Sequence, residues 1–187
     1  DQMGIEIIGD ASVYADAEVV LTAIDLLKEL GVEDFKLTIG NAGILDAILR
    51  KNVRTEEQFQ QLHQLLVQKN IVGFEEAVAQ FRLPREEEEM LLNFISEATE
   101  LKSIRQISKY LSEKQALLYM EQLASVLEIA DVAKYIDFDF TLASHMNYYT
   151  GMLFEVFASG SGFSLGNGGR YDGLLKDFGK DVGAIGF

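Results

Sequence analysis

Two short motifs near the C-terminal end hold the residue types most able to do chemistry. They are Asn147-Tyr148-Tyr149-Thr150-Gly151, running into Leu153-Phe154-Glu155, and Gly166-Asn167-Gly168-Gly169-Arg170-Tyr171-Asp172-Gly173, about twenty residues further on. Paired glycines let a backbone approach a ligand closely or take φ > 0. Tyr171 and Asp172 then stand at the lip of whatever that backbone cradles. A third polar set lies at the start of the chain, where Gln2, Gly4 and Glu6 alternate with Met3, Ile5 and Ile7. Alternation of this kind gives a strand with one polar row, which either lines a pocket or faces water. An isolated Gly-Gly pair is more often only a turn, so the residues alone leave both uses open. The chain has no cysteine and only two histidines, His63 and His145, so neither a thiolate nor a zinc site is expected.

The elements that must position these residues fall into three stretches. In the first, a strand over Met3–Ile8 precedes a helix in which Val19, Val20, Ala23, Ile24, Leu27 and Leu30 recur at helical spacing. Asp16 and Glu18 suit its first turn and Gly31 its C-cap. Phe35–Ile39 alternates as a strand, and Asn41 can N-cap a helix through Leu49. From about Thr55 to Tyr135 the pattern is unbroken helix. Thr55 with Glu56-Glu57-Gln58 resembles a capping box for a helix through Lys69, and a shorter helix covers Gly73–Phe81. The only proline, Pro84, opens an acidic first turn at 85–89, and further helices are expected to about Ala98, over Ser103–Leu111 and over Glu113–Ala130. Ile136–Leu142, Met152–Ala158 and a return strand beginning at Phe163 are joined by short turns and are expected to pair antiparallel. Gly168-Gly169 is expected to end the return strand before a short helical run over Tyr171–Phe178. The expected organisation is a core of residues 1–50 and 136–187, α+β in class, interrupted by an all-helical insertion at 51–135.

Composition narrows the function. The 187 residues are 48% hydrophobic and 25% charged, values of a folded globular chain. The formal net charge is −14, and the six arginines are scattered, so autonomous nucleic-acid binding is not expected. No apolar run is long enough to span a membrane, and a soluble cytoplasmic protein is expected. The first and last residues both read as strand interiors, as in an internal piece of a longer chain.

Taken together, the motifs resemble the catalytic domain of histidyl-tRNA synthetase, a class II synthetase, and its paralogues. Gln2-Met3-Gly4-Ile5-Glu6 resembles the segment after the second class motif, and the two C-terminal motifs resemble the two histidine-specific motifs. Gly183-Ala184-Ile185-Gly186-Phe187 resembles the start of the third class motif. The resemblance implies an antiparallel sheet flanked by helices and a histidine pocket formed by Gln2, Glu6, Tyr149 and Tyr171, with Gly168 and Gly169 as close backbone. One departure stands out. An active synthetase has Arg-Gly-Leu-Asp where this chain has Ser144-His145-Met146-Asn147, so both the arginine beside the reacting carboxylate and the acid for the α-amino group are missing. Losing such a charge costs orders of magnitude in rate. The pattern is similar to the paralogous regulatory subunits of ATP phosphoribosyltransferase. That resemblance implies no cofactor, no tRNA, a hetero-oligomer with a short catalytic subunit, self-association as a dimer, and histidine as effector. A divergent histidine–tRNA ligase and a ligand-free scaffold are the alternatives.

Overall fold

In the computed structural model, residues 2–98, 104–146, 148–174, 176 and 179–187 are described. Six strands form one sheet: β1 (Glu6–Ile8), β2 (Phe35–Asn41), β3 (Ile136–Phe138), β4 (Met152–Ala158), β5 (Gly166–Arg170) and β6 (Ala184–Gly186). Their order is β1-β6-β5-β4-β2-β3. Four of the pairings are antiparallel, and β2 with β3 is parallel. Parallel neighbours need a long crossover, and here it holds the helices α2 (Ala42–Asn52), α3 (Glu56–Val67), α4 (Ile71–Gln80), α5 (Arg85–Ala98) and α6 (Gln115–Ile129). Helix α1 (Val13–Glu29) precedes β2.

Local chemistry explains the boundaries. Gly31, at φ +74°, closes α1 as a Schellman cap, with its own N–H on Lys28 and that of Val32 on Leu27. The side chains of Asn41 and Thr55 accept from Ile44 N and Gln58 N at the heads of α2 and α3. Gln58 Oε1 reaches back to Arg54 N at 2.8 Å, one residue before the cap. Buried Leu37, Ile39, Phe154 and Val156 of the sheet share one continuous core with Ile24, Ile48, Phe74, Phe94 and Leu123 of the helices.

Four expectations need correction. The strand expected over 136–142 ends at Phe138 and pairs with β2 rather than β4. Asp139 Oδ1 accepts from both the N–H and the hydroxyl of Thr141, which turns the chain out of the sheet. The first strand is shorter than 3–8: Glu6–Ile8 pairs with β6, and Ile5 adds one exchanged pair of backbone hydrogen bonds with Phe187. The return strand begins at Gly166, and Gly168-Gly169 lies inside it rather than ending it. Residues 104–110 form a 3₁₀ helix, whereas the expected helix start at Ser103 lies outside the described residues. Of the run expected over 171–178, turn bonds from Leu174 N to Tyr171 O and from Lys176 N to Gly173 O are present; residues 175, 177 and 178 lie outside the description.

Candidate functional site

Strand register places the site. Glu6 lies opposite Gly186, Gly186 opposite Gly169, Gly169 opposite Leu153 and Leu153 opposite Gly40. Directly opposed residues share a face, so one row crosses five strands with glycine at three of its five positions. These glycines make room for side chains lying over the sheet. A Cβ at Gly169 would sit 2.7 Å from Tyr149 Cδ1 and 2.8 Å from Met152 O, and one at Gly186 would collide with the Glu6 carboxylate. Over this floor the Tyr171 hydroxyl donates to Glu6 Oε2. Tyr148 packs at a tilt against Tyr149 and edge-on against Tyr171, with ring centroids 4.8 and 5.8 Å apart. Burial raises the Glu6 carboxyl. Burial, then the Tyr148 hydroxyl and the Glu6 charge, raises the Tyr149 phenol well above the ordinary range. The arrangement is a solvent-open aromatic cluster beside an exposed carboxylate acceptor, a donor–acceptor set suited to a planar group that carries N–H donors.

Sequence reasoning missed the supports of this cluster. Arg170, which follows Gly169, is only 5% exposed. Its Nε donates to Asp16 Oδ1 at 2.9 Å and its Nη1 to Asp172 Oδ1 at 2.9 Å, and Nη2 also bonds Asp16. Asp16 is fully buried on α1, and its second oxygen accepts from Tyr119 of α6 at 2.7 Å. It stands in the first turn of α1, as expected, but is buried there. Burial opposes the Arg170 charge, but the bonds to Asp16 and Asp172 prevail and hold the guanidinium firmly protonated. Asp172 Oδ1 also accepts from Ala184 N, and Thr150 N donates to Arg170 O at 2.8 Å. Tyr149 and Tyr171 are thus tied to Arg170 through the backbone, Tyr149 by its neighbour Thr150 and Tyr171 by adjacency.

Of the residues expected at the pocket, Glu6, Tyr149, Gly169 and Tyr171 come together. Gly168 faces the other way, where a Cβ would meet Phe154 Cε1 at 2.7 Å and Phe187 Cβ at 2.6 Å, so it serves core packing. Gln2 lines a separate cavity of about 540 Å³ with Leu27, Glu155 and Asn167. Ser144 is half-buried, and its hydroxyl accepts from Met146 N at 3.0 Å. Asn147 lies outside the described residues. Tyr148, Arg170, Asp16 and Tyr119 were missed. Arg170-Tyr171-Asp172 was the available signal, since an arginine next to a glycine pair inside a strand needs a buried acid.

A mixed sheet of this topology with helices over it is the class II synthetase fold, and the motif order narrows it further. The family model for histidyl-tRNA synthetase matches residues 1–187, and the chain belongs to that family. It is 62% identical over its whole length to an ATP phosphoribosyltransferase regulatory subunit of Lysinibacillus sphaericus, covering 49% of that protein. A solved ATP phosphoribosyltransferase regulatory subunit/histidyl-tRNA synthetase from Bacillus halodurans superposes with TM-score 0.91 at 36% identity, over 98% of this chain and 49% of that one. A solved ATP phosphoribosyl transferase (HisG:HisZ) complex from Thermotoga maritima matches at TM-score 0.76 over 98% of this chain and 63% of that one. At 16% identity it is a likeness of fold alone. The chain spans about half the length of the curated relatives it matches.

Proposed function

We propose that the protein to which this chain belongs is a non-catalytic regulatory subunit of ATP phosphoribosyltransferase. On this reading it switches on a short catalytic subunit in a cytoplasmic hetero-oligomer, self-associates as a dimer, and conveys feedback by histidine. Residues 1–50 and 136–187 serve as the synthetase-like core and 51–135 as a helical insertion. Glu6, Tyr149 and Tyr171 recognise an imidazole over the glycine floor, and neither tRNA nor a cofactor takes part.

The observation that carries this reading is Ser144. Its neutral hydroxyl is engaged by the backbone of its own loop, where an adenylate-forming enzyme of this family needs an arginine to stabilise developing charge. The names of the curated relatives support the same reading.

The test uses the full-length protein mixed with a short catalytic subunit. Phosphoribosyl-ATP formation should require both chains and fall when histidine is added. Catalysis by the short subunit alone at the same rate overturns the proposal, as does histidine-dependent ATP–pyrophosphate exchange well above a buffer blank, which would favour the ligase reading. Histidine should bind about tenfold more weakly than to a synthetase, because Asn147 cannot form an ion pair with an α-ammonium group.

A further inference from the structure

A second cavity, of about 190 Å³, opens between α2, α3 and the loop at 142–146. It has room for roughly six waters' share of liquid volume. Leu45, Leu142 and Leu153, at most 5% exposed, give it an apolar wall. Asp46 from α2, His63 from α3 and Ser144 from the loop give it polar atoms. Asp46 and His63 are both half-buried. Burial pushes the Asp46 carboxyl up and the His63 imidazole down, while their mutual attraction opposes both shifts. Neither side chain hydrogen-bonds a described residue.

The neighbouring charges are already taken. Arg50 reaches the same cavity, but its guanidinium donates to both oxygens of Glu56, at 2.5 and 3.1 Å, and lies 3.7 Å over the Phe59 ring. One negative charge therefore remains, beside a neutral imidazole and a hydroxyl that can each accept a hydrogen bond. An anion would be repelled by Asp46. One carboxylate and one imidazole are too few to hold zinc, and no group of three metal-binding side chains occurs among the described residues. An alkylammonium ion fits, since it brings three N–H donors, one positive charge and an apolar body.

We propose that this cavity binds a small primary ammonium compound. Its N–H groups donate to the Asp46 carboxylate, the His63 imidazole and the Ser144 hydroxyl, and its carbon chain packs on Leu45, Leu142 and Leu153. The cavity shares Tyr149 with the proposed imidazole pocket but uses neither Glu6 nor Tyr171, so variants at Glu6 and at Asp46 separate the two proposals.

The test takes the full-length protein and n-pentylammonium chloride at neutral pH, followed by ligand-observed saturation-transfer NMR and by the His63 ring resonances. Saturable binding that moves the His63 resonances is expected. Pentan-1-ol and valerate should each bind on the order of tenfold or more weakly, and Asp46→Asn should weaken pentylammonium by a similar factor. Ala42→Phe, which adds a ring at the cavity wall, should abolish binding of all three. Glu6→Ala should impair histidine binding only, and Asp46→Asn pentylammonium binding only. Equal binding of pentylammonium and pentanol, undiminished binding to a folded Asp46→Asn protein, or no saturation up to about ten millimolar would each overturn the proposal and leave the cavity a hydrated seam.

Discussion

Breaking the Arg170–Asp16 pair should be far more harmful than deleting it whole. The Asp16 side chain is 0% exposed and that of Arg170 6%. Removing the guanidinium leaves a carboxylate in the core whose one other described partner is the Tyr119 hydroxyl. Breaking a buried pair by removing one partner costs about 3–5 kcal/mol. In a chain of this size that is roughly 6–20 °C in Tm, taking 2–4 °C per kcal/mol. Arg170→Leu should therefore melt far below the wild type, as should Asp16→Leu, which strands the guanidinium with Asp172, Asp10 O and Ser12 O. The double variant has no unpaired buried charge at the pair, and replacing a buried pair by apolar groups is often close to neutral. It should be more stable than either single variant. Urea unfolding of the four proteins closes the cycle; with single losses of about 3–5 kcal/mol each and a double loss smaller than either, the expected coupling is more than about 3 kcal/mol. Single variants that each cost less than about 1 kcal/mol, or a double variant whose loss equals their sum, would refute the reasoning.

Gly169→Ala should be destabilising by about 1–3 kcal/mol, because the added methyl would sit 2.8 Å from the immovable Met152 carbonyl as well as against the Tyr149 ring; chemical denaturation measures it, and a neutral result would mean that the strand can shift. Stability should also fall in alkali. Tyr110, Tyr119 and Tyr149 are all raised above the ordinary tyrosine value, burial being the first cause in each. Their stabilising contribution is present below about pH 10, where unfolded tyrosine ionises, and is lost as pH rises beyond it. Spectrophotometric titration should show three late tyrosinates, and a protein carrying all three Tyr→Phe changes should have a flatter stability profile above pH 10.

Much of the fold was legible because it rests on local signals. Side-chain caps at Asn41 and Thr55 and the glycine after α1 are contained within a few residues, and the structure has all three. What failed were the pairings decided at long range. Ile136–Phe138 alternates as a strand should, but nothing near it in sequence says that its partner is Leu37–Ile39, about a hundred residues earlier. The glycines show the same limit. Gly168 and Gly169 suggest a turn when viewed alone, whereas both are strand residues whose missing side chains make room on opposite faces. Asp16 was read only as a helix-start acid, because the partners it is buried with lie 103 and 154 residues away.

The two halves of the site differ in what anchors them. Glu6 and Gly169 belong to paired strands, and Tyr171 is pinned by its N–H on Ala184 O. Substitutions there disturb the sheet as well as the pocket. Ser144 lies on a loop, half-buried, where its hydroxyl serves the turn that runs on to Met146. An arginine at that place would contribute charge to a ligand but little to the packing of the core, so its replacement by serine costs the fold almost nothing. Local Ser turn chemistry even stabilises the loop in the absence of a ligand. Recognition built into a sheet and catalysis placed on a turn can therefore be lost independently. On the proposed reading, this chain lost the second and kept the first. Arginine restored at Ser144 would then remove the turn's own hydrogen bond without recovering the acid absent at Asn147, and it should leave pyrophosphate exchange at the level of a blank.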